Sequence, residues 1–346
     1  MKPQHTLLMI MAGWLACAPA TARTWTDTTG RTIEADLVRV EADRVILKVK
    51  GSEVPLPLSR LSPQDQKFIA DWKPGDTAAS PSPVSDADPL TLCGTALKAD
   101  GKVATVTEPL SAATLKSFAK APTKPTQLKL AVALPADFDP AKAQHVMWVS
   151  AAINNPEERK RGNTGAIGGY AATATAAGWV VIAADTDLGN PRLEDNERAT
   201  GTDLAVHLQA VAALTKAWPG SKSWEFACCG HSGGAKASFY RVGDLLAAGL
   251  KVTGMYLSGC NQDLTADARE ETKCSKAGLH KVNVFISSGK ADTIATTAHA
   301  ESLAKSTKED FGKIRLEHHD GGHSIDQAEF KKALEWFQSP DPKAKR

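Results

Sequence analysis

From residue 91 onward the chain alternates short apolar runs with longer segments whose apolar positions recur at helical spacing. Residues 128–134 and 145–149 read as the first strands, 179–184 as a buried strand, and 224–229, 252–257, 282–286 and 314–316 as later ones. Between them, 164–177 is a helix of small residues, and 195–218 is a long helix carrying Leu204, Val206, Leu208, Val211 and Leu214. Residues 326–337 form a closing helix. Strands alternating with helices predict a mostly parallel sheet with flanking helices, because each parallel crossover needs a helix-length connection. In such sheets reactive groups collect at the carboxyl ends of the strands.

Residues 23–73 follow a shorter period. Apolar runs at Trp25, 33–40, 45–49 and 54–58 are separated by turn signals at Thr29-Gly30, 41–43 and Lys50-Gly51-Ser52, which predicts a small N-terminal antiparallel β-barrel. Val54, Leu56 and Leu58 alternate as in a strand with one buried face. Ser62-Pro63-Gln64-Asp65 supplies an N-cap, a first-turn proline and an acidic third residue, so a short helix offers Phe68, Ile69 and Trp72 to the barrel. Residues 74–90, rich in Pro, Ser and Ala, read as a semi-extended linker, residues 91–338 as the large domain and 339–346 as a polar tail.

At the amino terminus, Lys2 precedes an apolar stretch at 7–16 that ends in Ala18-Pro19-Ala20-Thr21-Ala22. This predicts a signal peptide over 1–22 and a secreted or periplasmic protein. A membrane anchor needs about 18 or more apolar residues, so it ranks lower. A lipid-modified Cys17 also ranks lower, since Trp14 stands where such sites carry leucine. Membrane contact is expected only through the export signal.

Charge and cysteine content narrow the function. Lys+Arg total 41 against 39 Asp+Glu, so no basic field exists to attract nucleic acid. Of the six cysteines, Cys93, Cys228, Cys229, Cys260 and Cys274 follow the export segment. In an oxidising compartment some are expected to pair, and Cys260 with Cys274 would close a polar, strand-free segment. Cys228 and Cys229 are consecutive in a strand and face opposite ways. No C-x-x-C or H-E-x-x-H motif occurs, and neither a metal nor a cofactor is expected.

The chemistry centres on Gly230-His231-Ser232-Gly233-Gly234, which follows the strand at 224–229 and opens a helix over 235–246. A G-x-S-x-G turn between strand and helix strains the serine backbone and leaves no room for side chains at its ends. Downstream come Gly289-Lys290-Ala291-Asp292 and Gly321-Gly322-His323-Ser324, each just after a strand. A serine hydroxyl needs a base within reach, and the base needs an orienting acid. Ser232 is therefore read as nucleophile, His323 as general base, and Asp292 as the acid. His318 and His319 compete with His323 but lie closer to the strand, Asp263 competes with Asp292, and Asp320 reads as a solvated turn residue. His231 reads as a packing residue.

The order serine, acid, histidine resembles that of the α/β-hydrolases, and within them the esterases related to dienelactone hydrolases and polyester depolymerases, over roughly the last two thirds of the chain. The resemblance implies the α/β-hydrolase fold and two backbone N–H donors for the oxyanion. Gly233 is the first, and Ala151 the candidate second, because Ser150-Ala151-Ala152 replaces the His-Gly-Gly type of loop seen in lipases. The polar segments 154–165 and 260–274 are candidate walls of the substrate site, and neither has the apolar pattern of a lipase lid.

In the first domain, Arg23-Thr24-Trp25-Thr26-Asp27 with Gly30, Val54-Pro55-Leu56 and Leu58-Ser59-Arg60-Leu61-Ser62 resemble the Sla-type homology domain of actin-assembly adaptors. That resemblance implies a peptide or protein ligand; an accessory barrel of other use stays open. The expectation is a serine hydrolase acting on a small-molecule or polymer ester. A serine peptidase and a non-catalytic cell-surface binding protein are the alternatives.

Overall fold

A computed structural model of the chain describes residues 23–71 except 29–30, 42 and 50–51, and then residues 90–190 and 202–339. The segment read as a signal peptide, Trp72, nearly all of the expected linker, residues 195–201 of the long helix and the tail from 340 lie outside the described residues. The chain divides into two compact units, Met1–Ala87 and Asp88–Arg346.

The first unit is a four-stranded antiparallel meander, β1 (Arg23–Thr26), β2 (Thr32–Val40), β3 (Arg44–Val49) and β4 (Ser52–Pro57), followed by helix α1 (Pro63–Asp71). Its ends meet where Asp27 bridges Leu61 and Ser62 N–H donates to Thr26 O at 2.8 Å, which closes the meander on itself. Ser62 caps α1, and the buried Asp65 carboxylate accepts both the Ser62 hydroxyl (3.0 Å) and the Thr26 N–H (2.8 Å), tying helix to first strand. Trp25, Ala35, Leu37, Val45, Leu47, Leu61 and Ile69 form the core, with the Trp25 indole donating to Ala35 O. The expected buried face of β4 is only partly realised. Leu56 and Leu58 pack on this core, whereas Val54 stays exposed because β4 is the last strand of the meander.

The second unit is built on an eight-stranded sheet whose elements, in chain order, are β7 (Val103–Pro109), α2 (Ala112–Ser117), β8 (Gln127–Ala133), β9 (His145–Ser150), α3 (Pro156–Ala166), α4 (Ala171–Ala176), β10 (Trp179–Thr186), α5 (Thr202–Ala217), β11 (Glu225–His231), α6 (Gly233–Ala247), β12 (Lys251–Ser258), α7 (Thr265–Thr272), α8 (Lys276–Leu279), β13 (Asn283–Gly289), α9 (Thr297–Thr307), β14 (Ile314–His319) and α10 (Gln327–Gln338). A two-residue ribbon, β5 (Thr91–Leu92) with β6 (Thr95–Ala96), precedes it. The strands lie in the order β7-β8-β10-β9-β11-β12-β13-β14, and only β8 runs antiparallel to its neighbours. Helices cover both faces: one core cluster gathers Trp148, Val206, Phe226, Cys228 and Phe239, the other Met147, Trp179, Cys229, Phe330 and Phe337. Cys228 and Cys229 thus fall in opposite clusters, as alternation along β11 requires.

Three readings are revised. Residues 154–165, read only as a polar segment, fold largely as helix α3, which Asn155 caps by accepting the Glu158 N–H at 2.9 Å. The helix expected over 164–177 is instead the end of α3, a 3-10 turn at Ile167–Gly169 and α4. Cys260 and Cys274 do not pair, and all five described cysteines are free thiols. The segment between them folds as α7, and the buried Cys260 thiol donates to Gln262 O at 3.3 Å, its pKa pushed up to about 11 by burial. No helix among the described residues is long and apolar enough to cross a membrane.

Because each unit holds its own apolar core, truncation to a chain starting at Asp88 is expected to leave a soluble protein with one cooperative thermal transition. Calorimetry on full-length and truncated chains checks this. A truncated chain that aggregates or melts without cooperativity would show that the second unit depends on the first.

Candidate active site

Three strand ends converge on one spot. At the end of β11 the chain reverses into α6, and Ser232 occupies the apex with φ 57° and ψ −120°, a region non-glycine residues avoid. The turn is locked by close backbone approach: a Cβ on Gly230 would lie 2.1 Å from the Gly234 carbonyl carbon, and one on Gly234 would lie 2.3 Å from Ser150 O. Ser232 N–H donates to Ser258 O at 2.9 Å, fastening the apex to the end of β12.

These contacts make the glycines testable. Gly230→Ala is expected to cost at least the upper end of the roughly 1–3 kcal/mol overpacking range, because the clash is with backbone that cannot rotate away. Gly168→Ala, where nothing lies within 4 Å, is expected to leave stability nearly unchanged. Denaturant midpoints of the two variants read the difference, and equal midpoints would contradict the close packing of the turn.

The ends of β13 and β14 supply the other two groups. Lys290 N–H donates to His319 O (2.8 Å) and Ala291 N–H to Gly321 O (3.0 Å), so the loop after β13 is stitched to the loop after β14. Gly289 makes this possible, since a Cβ there would lie 2.4 Å from the carbonyl oxygens of Gly321 and Gly322. On this scaffold His323 Nδ1 lies 2.7 Å from Asp292 Oδ2. The second oxygen of Asp292 accepts the N–H groups of Ile294 and Ala295, both at 2.8 Å. Burial pushes the Asp292 carboxyl upward in pKa, but the His323 hydrogen bond and the two N–H groups outweigh it, and the net shift is downward. An ionised carboxylate only accepts, so Nδ1 of His323 carries the proton and Nε2 is the basic nitrogen.

His323 and Ser232 are brought to the same place through His231 and Gly259. The rings of His231 and His323 are 4.5 Å apart, and His231 Nδ1 is 3.1 Å from the Ser258 hydroxyl. Gly259 passes behind both rings, a Cβ there lying 3.0 Å from each Cε1. His231 therefore packs, as its position in the turn implied, but against the site histidine. Burial, then the proximity of His323, depresses its pKa and favours the neutral ring. The Ser232 hydroxyl forms no hydrogen bond with His323 among the described residues. Such contacts are often long in ligand-free sites and tighten when substrate binds.

The rival residues are placed elsewhere. His318 and His319 are the last residues of β14, and His319 Nδ1 accepts the Gly321 N–H. Asp263 accepts from Thr265 N–H and hydroxyl (2.9 and 2.5 Å) and from the Ser306 hydroxyl (2.6 Å), holding α7 to α9. Asp320 pairs with Lys290 at the surface, 2.7 Å apart.

Gly233 opens α6, where first-turn N–H groups have no intrahelical partner and the helix dipole favours negative charge. Ala151 has to be corrected. Its N–H donates to the buried Asn163 carboxamide oxygen at 2.9 Å and is not available to an oxyanion. The next residue, Ala152, is the one beside the turn: a Cβ on Gly233 would lie 3.2 Å from its Cβ and 3.3 Å from its Cα, and 3.2 Å from Asn154 Oδ1. Ala152 N–H donates to no group among the described residues. Sequence could not single it out, because the partner that removes Ala151 sits in α3.

The strand order with a single antiparallel member near one edge, and a strained serine between β11 and α6, define an α/β-hydrolase fold. Residues 16–74 match the SLA1 homology domain 1 family, SHD1. No curated protein sequence matches the chain. Among solved structures, the chain is similar to an esterase of the fungus Rhizomucor miehei, with 14% identity and a TM-score of 0.45, over 68% of this chain and 82% of that one. It is also similar to an α/β serine hydrolase without lid from Xanthomonas campestris, with 15% identity and a TM-score of 0.44, over 68% and 93% of the two chains. A butyrate-bound esterase from the planctomycete Thermogutta terrifontis aligns with 18% identity and a TM-score of 0.41, over 62% and 88%.

Proposed function

We propose that the second unit is a serine hydrolase that cleaves carboxylic esters through an acyl-enzyme. The observation that carries this is the meeting of a strained, partly accessible Ser232 with a half-buried His323 hydrogen-bonded to the buried Asp292 in one site. In this reading His323 Nε2 takes the proton from the Ser232 hydroxyl as its oxygen attacks the ester carbonyl carbon. Asp292 holds the ring in the required tautomer and stabilises the imidazolium. The N–H groups of Gly233 and Ala152 donate to the oxyanion, supported by the amino end of α6. The imidazolium then protonates the departing alkoxide, and a water activated by the same nitrogen hydrolyses the acyl-enzyme.

The described walls favour a short or polar acyl group. Helix α3, in the segment read as a candidate wall, is charged over Glu157, Glu158, Arg159, Lys160 and Arg161, and Asn154 presents its amide at Gly233. The amino-terminal pattern supports export, and the SHD1 unit is proposed to bind a peptide or protein. Labelling with a fluorophosphonate, followed by turnover on p-nitrophenyl esters of increasing chain length, tests the assignment. Covalent labelling and a preference for short chains are expected. Absence of both labelling and turnover would overturn it.

A further inference from the structure

The most elaborate buried polar arrangement near the site is one that the proposed reaction does not use directly. Asp185, on β10, is fully buried and accepts the consecutive N–H groups of Asn163 (3.0 Å) and Thr164 (2.6 Å). Gly162 makes this cradle possible: it interrupts α3 at φ 65°, and a Cβ there would lie 2.5 Å from Asp185 Oδ2. Burial lifts the Asp185 carboxyl to about 7, and the Thr164 and Asn163 N–H groups oppose that rise. Buried carboxylates are costly unless satisfied, so the arrangement has to do something that an apolar contact could not.

What it does is fix the Asn163 backbone, and with it the root of the Asn163 side chain. That carboxamide, itself 2% exposed, donates from Nδ2 to Ala184 O and accepts the Ala151 N–H at Oδ1, both at 2.9 Å. The Ala151 N–H and the Ser150 carbonyl belong to one peptide unit. Its oxygen is pressed against Gly234 at the serine turn, and its N–H is fixed by Asn163. A planar unit held at both ends fixes the Ala151 Cα, so that only the two torsions of Ala151 separate it from the next N–H, that of Ala152. Asparagine suits the position because the two partners need one donor and one acceptor.

We infer that Asn163, held by Asp185, is a positioning residue that clamps the Ser150–Ala151 peptide and aims the Ala152 N–H at the oxyanion; this rests on the esterase reading above. The clamp works from behind the strand end and touches no substrate. Its loss therefore weakens transition-state binding and spares ground-state binding.

The test uses the full-length chain with Asn163→Ala and Asp185→Asn, assayed on a short-chain p-nitrophenyl ester and for inhibition by an arylboronic acid, which forms a tetrahedral adduct on the serine. Asn163→Ala is expected to lower kcat by about 10- to 100-fold, somewhat below the effect of deleting an oxyanion donor, with KM within about threefold. Boronate affinity is expected to fall in parallel. Asp185→Asn keeps the shape but turns an amide donor toward an N–H, and the same signature is expected at smaller size. A merely structural role would lower the melting temperature and the active fraction without the parallel loss of boronate affinity. If Asn163→Ala does not fold, Asp185→Asn decides. Folded variants with wild-type kcat and boronate affinity overturn the inference while leaving the esterase reading intact. A wild-type chain that neither turns over esters nor takes the fluorophosphonate overturns both.

Discussion

Ser232→Ala is expected to reduce ester hydrolysis by several orders of magnitude and to abolish fluorophosphonate labelling, while the melting temperature stays near that of the wild type. The substitution removes only the attacking oxygen. Alanine keeps the Cβ and backbone N–H, so the hydrogen bond to Ser258 O and the strained φ of 57° persist. Residual turnover then reports what oriented N–H donors and binding contribute alone. Labelling that survives in the variant would place the nucleophile elsewhere. A variant that has lost its cooperative transition would show that the turn depends on the hydroxyl, which makes no hydrogen bond among the described residues.

The parallel core was legible because strands covered on both faces read as apolar runs; β10 is apolar from Trp179 to Ala184 and buried along its whole length. Edge strand β7 was not, since only Val106 of its seven residues is buried and its sequence reads as a polar connection. Helix α3 was missed for a different reason. Its charged residues read only as a polar segment, although Asn155-Pro156 followed by Glu158 carries a capping signature that could have been used.

The site divides in the same way. Gly230, Ser232 and Gly234 were readable because a strained turn demands particular residue types at fixed spacing. The oxyanion loop follows no such local rule. Which of Ala151 and Ala152 keeps a free N–H is decided by Asn163, twelve residues beyond Ala151 and across a left-handed glycine, so one-residue precision needed the tertiary fold. The absent Cys260–Cys274 bridge is similar: the polar spacing suggested a loop in need of a staple, whereas Asp263 and Ser306 already fasten it.

Asp292→Asn is expected to lower kcat by up to about 10⁴-fold with a modest change in KM, because an amide can hold the wrong imidazole tautomer and cannot stabilise the imidazolium. The pH dependence of stability gives an independent readout. The folded-state pKa of Asp292 is depressed, so its stabilising contribution is fully present above the ordinary carboxylate value of 3.8 and is lost as pH falls through the depressed value. The melting temperatures of wild type and Asp292→Asn should therefore converge as the solution is made acidic. Asp263→Asn makes the contrast. Its carboxylate serves Thr265 and Ser306, so the variant is expected to lose about 0.5–2 kcal/mol, as when a helix cap is removed, with kcat nearly unchanged. Turnover per folded molecule, with the folded fraction taken from thermal unfolding, separates the two effects. A large kcat loss in Asp263→Asn alongside normal turnover in Asp292→Asn would move the orienting acid to the loop after β12. It would also mean that the 2.7 Å contact between His323 and Asp292 plays no part in the reaction.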